Sequence, residues 1–223
     1  PAIPSARFAS AGTRERQGPP AEPSRRPRLV AVPVDAGDPA TGRFCGVRSP
    51  DRPEVFHLNG DHDDNRPDNL VPACALCHLA QHLAEAETSK AGTLIWLPEM
   101  SQAAVITVAR GIHSLLLAHG ERPSSHEPPR RRGPAAEGAW RAMSALRERE
   151  VQARDILGTS RPYALAAALL ALDPTSYCER ADLLDGIRLL PTGQLIRAGE
   201  DIYPELLSLW RQPQRIDQTR TTA

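Results

Sequence analysis

The stretch from Glu54 to His82, EVFHLNGDHDDNRPDNLVPACALCHLAQH, most constrains what this chain can fold into. It concentrates metal-binding residue types in a chain that has only four cysteines and seven histidines. Glu54 to Leu58 reads as a strand running into an Asn59-Gly60 turn signal, and Asp61 to Pro67 as a loop. Leu70-Val71 can then pair back as a second short strand. Ala75 to about Thr88 is rich in Ala, Leu and Glu and reads as one helix. On that helix His78 and His82 share a face, Cys74 and Cys77 stand at its start, and Cys45 lies upstream of the strand.

A CxxC pair on a tight turn points two thiolates at one tetrahedral ion. Cys74 and Cys77 meet that spacing and Cys45 can supply a third sulfur. Structural Zn2+ is therefore the expected cofactor, with Cys45, Cys74 and Cys77 as its expected ligands. A four-cysteine site would place one more cysteine three residues before Cys45, where this chain has Gly42. Either the fourth ligand comes from His82, an aspartate or Cys178, or the site is weak or lost; the competing reading is that Cys74 and Cys77 are simply buried thiols. The pair His78 and His82 reads either as part of a divalent-metal site or as two solvated helix histidines.

Charge decides against one class of partner. Lys plus Arg equal Asp plus Glu at 27 each. Between Gly42 and Glu87 eight acidic side chains stand against four basic ones. Such a surface repels phosphate, so nucleic acid is not an expected partner. No apolar run approaches the roughly 18 residues of a membrane span, and the first thirty residues lack the apolar core of a secretory signal. The expectation is a cytoplasmic protein without membrane insertion.

Around the central stretch the chain divides by composition. Residues 1–28 are rich in Pro and Arg and read as a disordered arm. Residues 29–120 hold the metal-binding stretch, with Leu29–Val34 as an edge strand, Thr93–Leu97 as a strand, Ser101 as an N-cap, and a helix running to Gly120. Residues 121–134, with four prolines and the Arg130-Arg131-Arg132 run, read as a linker. Residues 135–211 read as mostly helical: one helix over Ala135–Leu157, one over Arg161–Leu172, a short one over Tyr177–Leu184, an extended run at Ile187–Leu190, and a last helix at Tyr203–Arg211. Residues 212–223 form a polar tail. The fold class is α+β: a β-hairpin plus helix core, stapled by zinc, followed by a mostly helical half.

The order His57, Asn69-Leu70, Cys74-x-x-Cys77-His78 and His82 resembles the HNH endonuclease fold, a β-hairpin followed by a helix. In that family the histidine ending the first strand is the general base. The resemblance puts His57 on the base, Asn69 on the central asparagine, and His78 and His82 on the helix positions; Phe56 falls where a metal-ligating Asp or His belongs. A phenyl ring cannot coordinate a cation, so these four residues read as vestigial and the chain as non-catalytic. The alternative is a metal-dependent endonuclease using His57 as base.

A second resemblance covers more of the chain. FCG at 44–46, the Glu54–His82 block, GTLIWLPEMSQA at 92–103 and SYCERADLLDGIRLLPTG at 176–193 together resemble the IcmJ/DotN family of type IVB (Dot/Icm-type) secretion systems. Membership implies an adaptor subunit with an HNH-like zinc module, bound to the coupling ATPase of the DotL type and to other coupling-complex subunits. It also implies a place on the cytoplasmic face of the inner membrane, in a secretion or related conjugation system.

Overall fold

In the computed structural model, which describes residues 41–49, 53–130 and 133–211, the first hairpin forms where local sequence puts it. Strand β1 (Glu54–His57) pairs antiparallel with β2 (Leu70–Ala73), with Phe56 opposite Val71 and His57 opposite Leu70. Phe56, Val71 and Ala73 are buried together against Phe44 and Leu58. The connecting loop ends in a 3-10 turn, Pro67–Asn69, where proline sits without wasting a backbone donor. The expected arm (1–28), the Leu29–Val34 strand and the polar tail (212–223) lie outside the described residues, as do Arg131 and Arg132 of the basic run.

The helix expected over Ala75–Thr88 is two helices, α1 (Ala75–Gln81) and α2 (Leu83–Thr88). The break is at His82, whose φ of −125° and ψ of 69° are not helical. Its N–H bonds the Leu79 carbonyl, and its own carbonyl starts the next helix by accepting from Glu85 and Ala86. The bend aims α2 at α6 (Pro162–Leu170), against which it packs.

The Thr93–Leu97 run forms β3 (Gly92–Trp96), and Ile187–Leu190 forms β4 (Ile187–Pro191). The two pair antiparallel, with Leu94 opposite Leu189. The pair joins residues from before and after the 121–134 segment in one ribbon. Its alternation feeds two cores. Leu94 and Leu189 face the larger one with Leu79, Leu83, Ile106 and Tyr203. Ile95 and Leu190 face the smaller one with Val105, Ala109 and Met143.

A two-stranded ribbon leaves two unpaired edges, and side chains and loops close both. On β3, the Leu94 N–H donates to the Ser160 carbonyl at 2.9 Å and the Trp96 N–H to Arg149 at 3.2 Å. On β4, the buried Gln102 amide acts as a third strand: it donates to the Leu189 carbonyl and accepts from the Leu189 N–H, both at 2.8 Å. Gln102 begins α3 (Gln102–Ala118), which is capped as expected by Ser101, whose Oγ accepts from Ala104 N–H.

The bond from Trp96 also marks where the helix expected over 135–157 divides, into α4 (Pro134–Glu148) and α5 (Glu150–Leu157) around Arg149. The short helix expected over 177–184 likewise divides, into α7 (Pro174–Cys178) and α8 (Arg180–Leu183). A small hairpin, β5 (Ile196–Arg197) with β6 (Glu200–Asp201), leads into α9 (Tyr203–Arg211). Among the described residues no helix is long and apolar enough to cross a membrane.

The segment between α3 and α4 is pinned to the ribbon. The half-buried Arg147 guanidinium donates to the carbonyls of Ser125 and Pro123, at 2.8 and 3.0 Å. On its far side Pro123 meets Gly193, whose φ is +88°; a Cβ there would lie 2.5 Å from the Pro123 backbone. A glycine is needed both for that backbone angle and for that approach.

One buried group makes the fold sensitive to acid. His113 on α3 is fully buried, with Nδ1 2.8 Å from the Tyr203 hydroxyl. Burial, and then the nearby Arg147 charge, hold its pKa down to about 3, from an ordinary value of 6.5. The unfolded chain therefore binds a proton that the folded chain refuses as pH falls from 6.5 towards 3. Stability from this group is complete above pH 6.5 and is lost across that window, by about 1.4 kcal/mol per pH unit. Urea melts between pH 7 and 4 should show this loss, and His113→Gln, which keeps a partner for Tyr203, should show a flatter profile. Equal slopes for the two proteins would rule it out.

Candidate metal centre and histidine cluster

Two clusters of chemistry-bearing side chains flank α1. The first is made of sulfur. The chain from Gly42 to Val47 folds into a knuckle, with Gly42 N–H on the Val47 carbonyl at 2.8 Å and Gly46 N–H on the Gly42 carbonyl at 3.0 Å. Arg43 N–H ties the knuckle to β2 through the Pro72 carbonyl. This brings Cys45 to the start of α1, where Cys74 is the N-cap and its sulfur accepts from the Cys77 N–H at 3.5 Å. The Cys45 and Cys74 sulfurs are 3.6 Å apart. All three Sγ atoms, of Cys45, Cys74 and Cys77, lie within 4.8 Å of one another.

That geometry governs the protons. Hydrogen bonding from Cys74 and Cys77, helped by Arg110, holds the Cys45 thiol well below its ordinary range. Proximity to Cys45 then pushes the Cys74 thiol up to about 12, and Cys77 rises as well. One thiolate is favoured; three at once need a cation among them. The donor set, three soft sulfurs on a knuckle and a helix N-terminus, fits a tetrahedral ion of the zinc type.

The position of Gly42 explains its fit. A Cβ at residue 42 would sit 3.2 Å from the Cys74 nitrogen and 3.3 Å from the Val47 carbonyl oxygen. The knuckle thus has its first position beside the sulfurs but no side chain there. Of the other expected donors, Cys178 is exposed on α7 and His82 belongs to the second cluster. Among the described residues, Cys45, Cys74 and Cys77 are the set whose donor atoms gather this tightly.

The second cluster is made of imidazoles. His78 and His82, on α1 and at its end, have ring centroids 4.4 Å apart. His62, from the hairpin loop, lies 5.6 Å from His82 and 4.7 Å from His57. Sequence reasoning brought His57, His78 and His82 together but missed His62. The turn at Asn59-Gly60 was the available signal, because it folds the chain back towards His57. Phe56 stands against the helix side of the cluster, its ring 6.0 Å from both His78 and His82. Half-buried Glu54 pairs with His78 Nδ1 at 2.8 Å and with Arg197 of β5. Burial alone would raise Glu54, but His78 and Arg197 outweigh it and hold the carboxyl below its usual range.

Asn69 is committed to architecture. Its Oδ1 accepts from Asn59 N–H at 2.9 Å, and its Nδ2 donates to the Asp64 carbonyl at 2.7 Å, so it locks both ends of the loop. His57 Nε2 lies 3.3 Å from Asn65 Oδ1 within that loop. Arg66 pairs with Asp64 at 2.8 Å beside it.

No family model matches the chain. Over 157 residues it is 27% identical to the type 4 apparatus protein DotN of Legionella pneumophila, covering 70% of this chain and 68% of that protein. The similarity supports a relationship to the DotN/IcmJ family, as the sequence motifs imply.

The role of Asn69 has a measurable cost. Asn69→Ala leaves the Asn59 N–H and the Asp64 carbonyl without their side-chain partner and should lower unfolding free energy by about 1–3 kcal/mol. Denaturant titration at pH 7 tests this; an unchanged midpoint would show that the loop is held by other means.

Proposed function

We propose that this chain is a subunit of a type IV secretion or related conjugation apparatus, and that it works there as a non-catalytic adaptor. The similarity to DotN, which extends over most of both chains, carries the reading. In this role the protein binds a coupling ATPase of the DotL type, and with it other coupling-complex subunits, at the cytoplasmic face of the inner membrane. Cys45, Cys74 and Cys77 hold Zn2+, whose part is structural: when bound it ties the knuckle to the hairpin and to α1. The half-buried Trp96, Trp140 and Trp210 are of the residue type that anchors interfaces, but Trp96 and Trp210 also pack against the larger core.

A second reading has one observation in its favour. Three imidazoles gather beside a strand-ending His57, as in an HNH-type nuclease with His57 as general base. Against it, Phe56 fills the place beside His78 and His82 where that chemistry wants an anionic or imidazole ligand.

Four measurements test these readings. Protein purified without chelator should carry about one zinc per chain, and Cys74→Ser should lose it. Co-expression with the cytoplasmic region of the coupling ATPase should give a complex stable to gel filtration, and deletion of the gene should abolish secretion or transfer. Plasmid DNA with Mg2+, Mn2+, Ni2+ or Zn2+ should stay intact. Cleavage that disappears in His57→Ala would overturn the non-catalytic reading, and separate elution from the ATPase would overturn the adaptor role.

A further inference from the structure

The thiol cluster has a fourth neighbour that is a cation. Helix α3 carries Arg110 to the Cys45 edge of the triad, where its Nη1 stands 3.7 Å from the Cys45 sulfur. The same guanidinium lies over the Trp210 ring of α9, 5.9 Å from its centre. Trp210 is fixed in turn, donating its indole N–H to Ser49 Oγ at 3.3 Å, just beyond the cysteine knuckle. Arg211 adds a bond from α9 to the Ser114 carbonyl of α3 at 3.4 Å. A permanent positive charge is therefore clamped against one sulfur by residues far apart in sequence.

Charge balance gives this placement a purpose. A divalent ion on three thiolates keeps one net negative charge, and burying it unpaired is unfavourable. One guanidinium cancels it, and Arg stays charged at any relevant pH. A four-thiolate site would carry two negative charges and be half-compensated. The chain with Gly42 in place of a fourth sulfur is the one that a single arginine balances.

We propose that Arg110 is the built-in counter-charge of the three-cysteine centre, held on Cys45 by Trp210 so that a divalent cation and three thiolates rest there as a neutral unit. The inference depends on the metal-binding reading above. Arg110 is a positioning residue: it touches no metal and acts through Cys45, whose sulfur it faces at 3.7 Å. Mere stacking on Trp210 would be served as well by a long neutral side chain.

The full chain and its Arg110→Met, Arg110→Gln and Arg110→Lys variants test this. Zn2+ affinity is read by competition with a chromophoric chelator, the Co2+ complex by its absorption spectrum, and folding by circular dichroism. Met keeps the packing on Trp210, and Gln is the second neutral variant should Met not fold. Both neutral variants should bind Zn2+ about tenfold or more weakly, and their thiolate-to-cobalt band should move to longer wavelength. Arg110→Lys should stay within about threefold of the parent, because the charge is kept. Neutral variants that match the parent in affinity and spectrum would overturn the role of Arg110 alone. A parent chain that binds neither ion would overturn the metal reading and this inference with it.

Discussion

Three sulfurs within 4.8 Å of one another, two of them buried, set the terms for everything around them. Such a group cannot ionise fully on its own, yet it is the junction of the molecule. The knuckle at 42–47, the turn from β2 into α1, and the faces of α3 and α9 all meet there. A metal ion bound there would turn mutual repulsion into a cross-link between these segments. Arg110 and Trp210 extend that link to the far end of the chain. The N-cap that starts α1 is itself one of the sulfurs, so helix formation and metal geometry are set by the same residue.

What was legible in the sequence was local. The Asn59-Gly60 turn, the Ser101 cap, the CxxC at a helix start and the β-branched and aromatic run of β3 depend on neighbours a few residues away, and each appears where expected. The breaks were not legible, because their causes are distant. Helix α4 yields at Arg149 where that carbonyl bonds Trp96, and the Gln102 amide closes the edge of β4 across 87 residues. The helix break at His82 belongs to the same class: the bend carries α2 onto α6. Arg110 and Trp210 lie on separate helices, and only the fold brings Arg110 to Cys45 and Trp210 to Arg110.

On the proposed reading, the histidine cluster is a scaffold separated from a chemistry. The strand, loop and helix positions that resemble a nuclease are present, and His62 adds an imidazole to them. Phe56 occupies the side of the cluster that a ligand would need, packed between Phe44 and the two helix histidines. Asn69 spends its amide on holding the loop. These features support the proposed docking role, in which a structural metal would lie on the sulfur side of α1.

X-ray absorption at the zinc edge, on protein purified without chelator, tests this central point most directly. The account predicts a first shell dominated by three sulfurs at about 2.3 Å. A shell made only of nitrogen and oxygen, at about 2.0–2.1 Å, would place the metal among the histidines and contradict it.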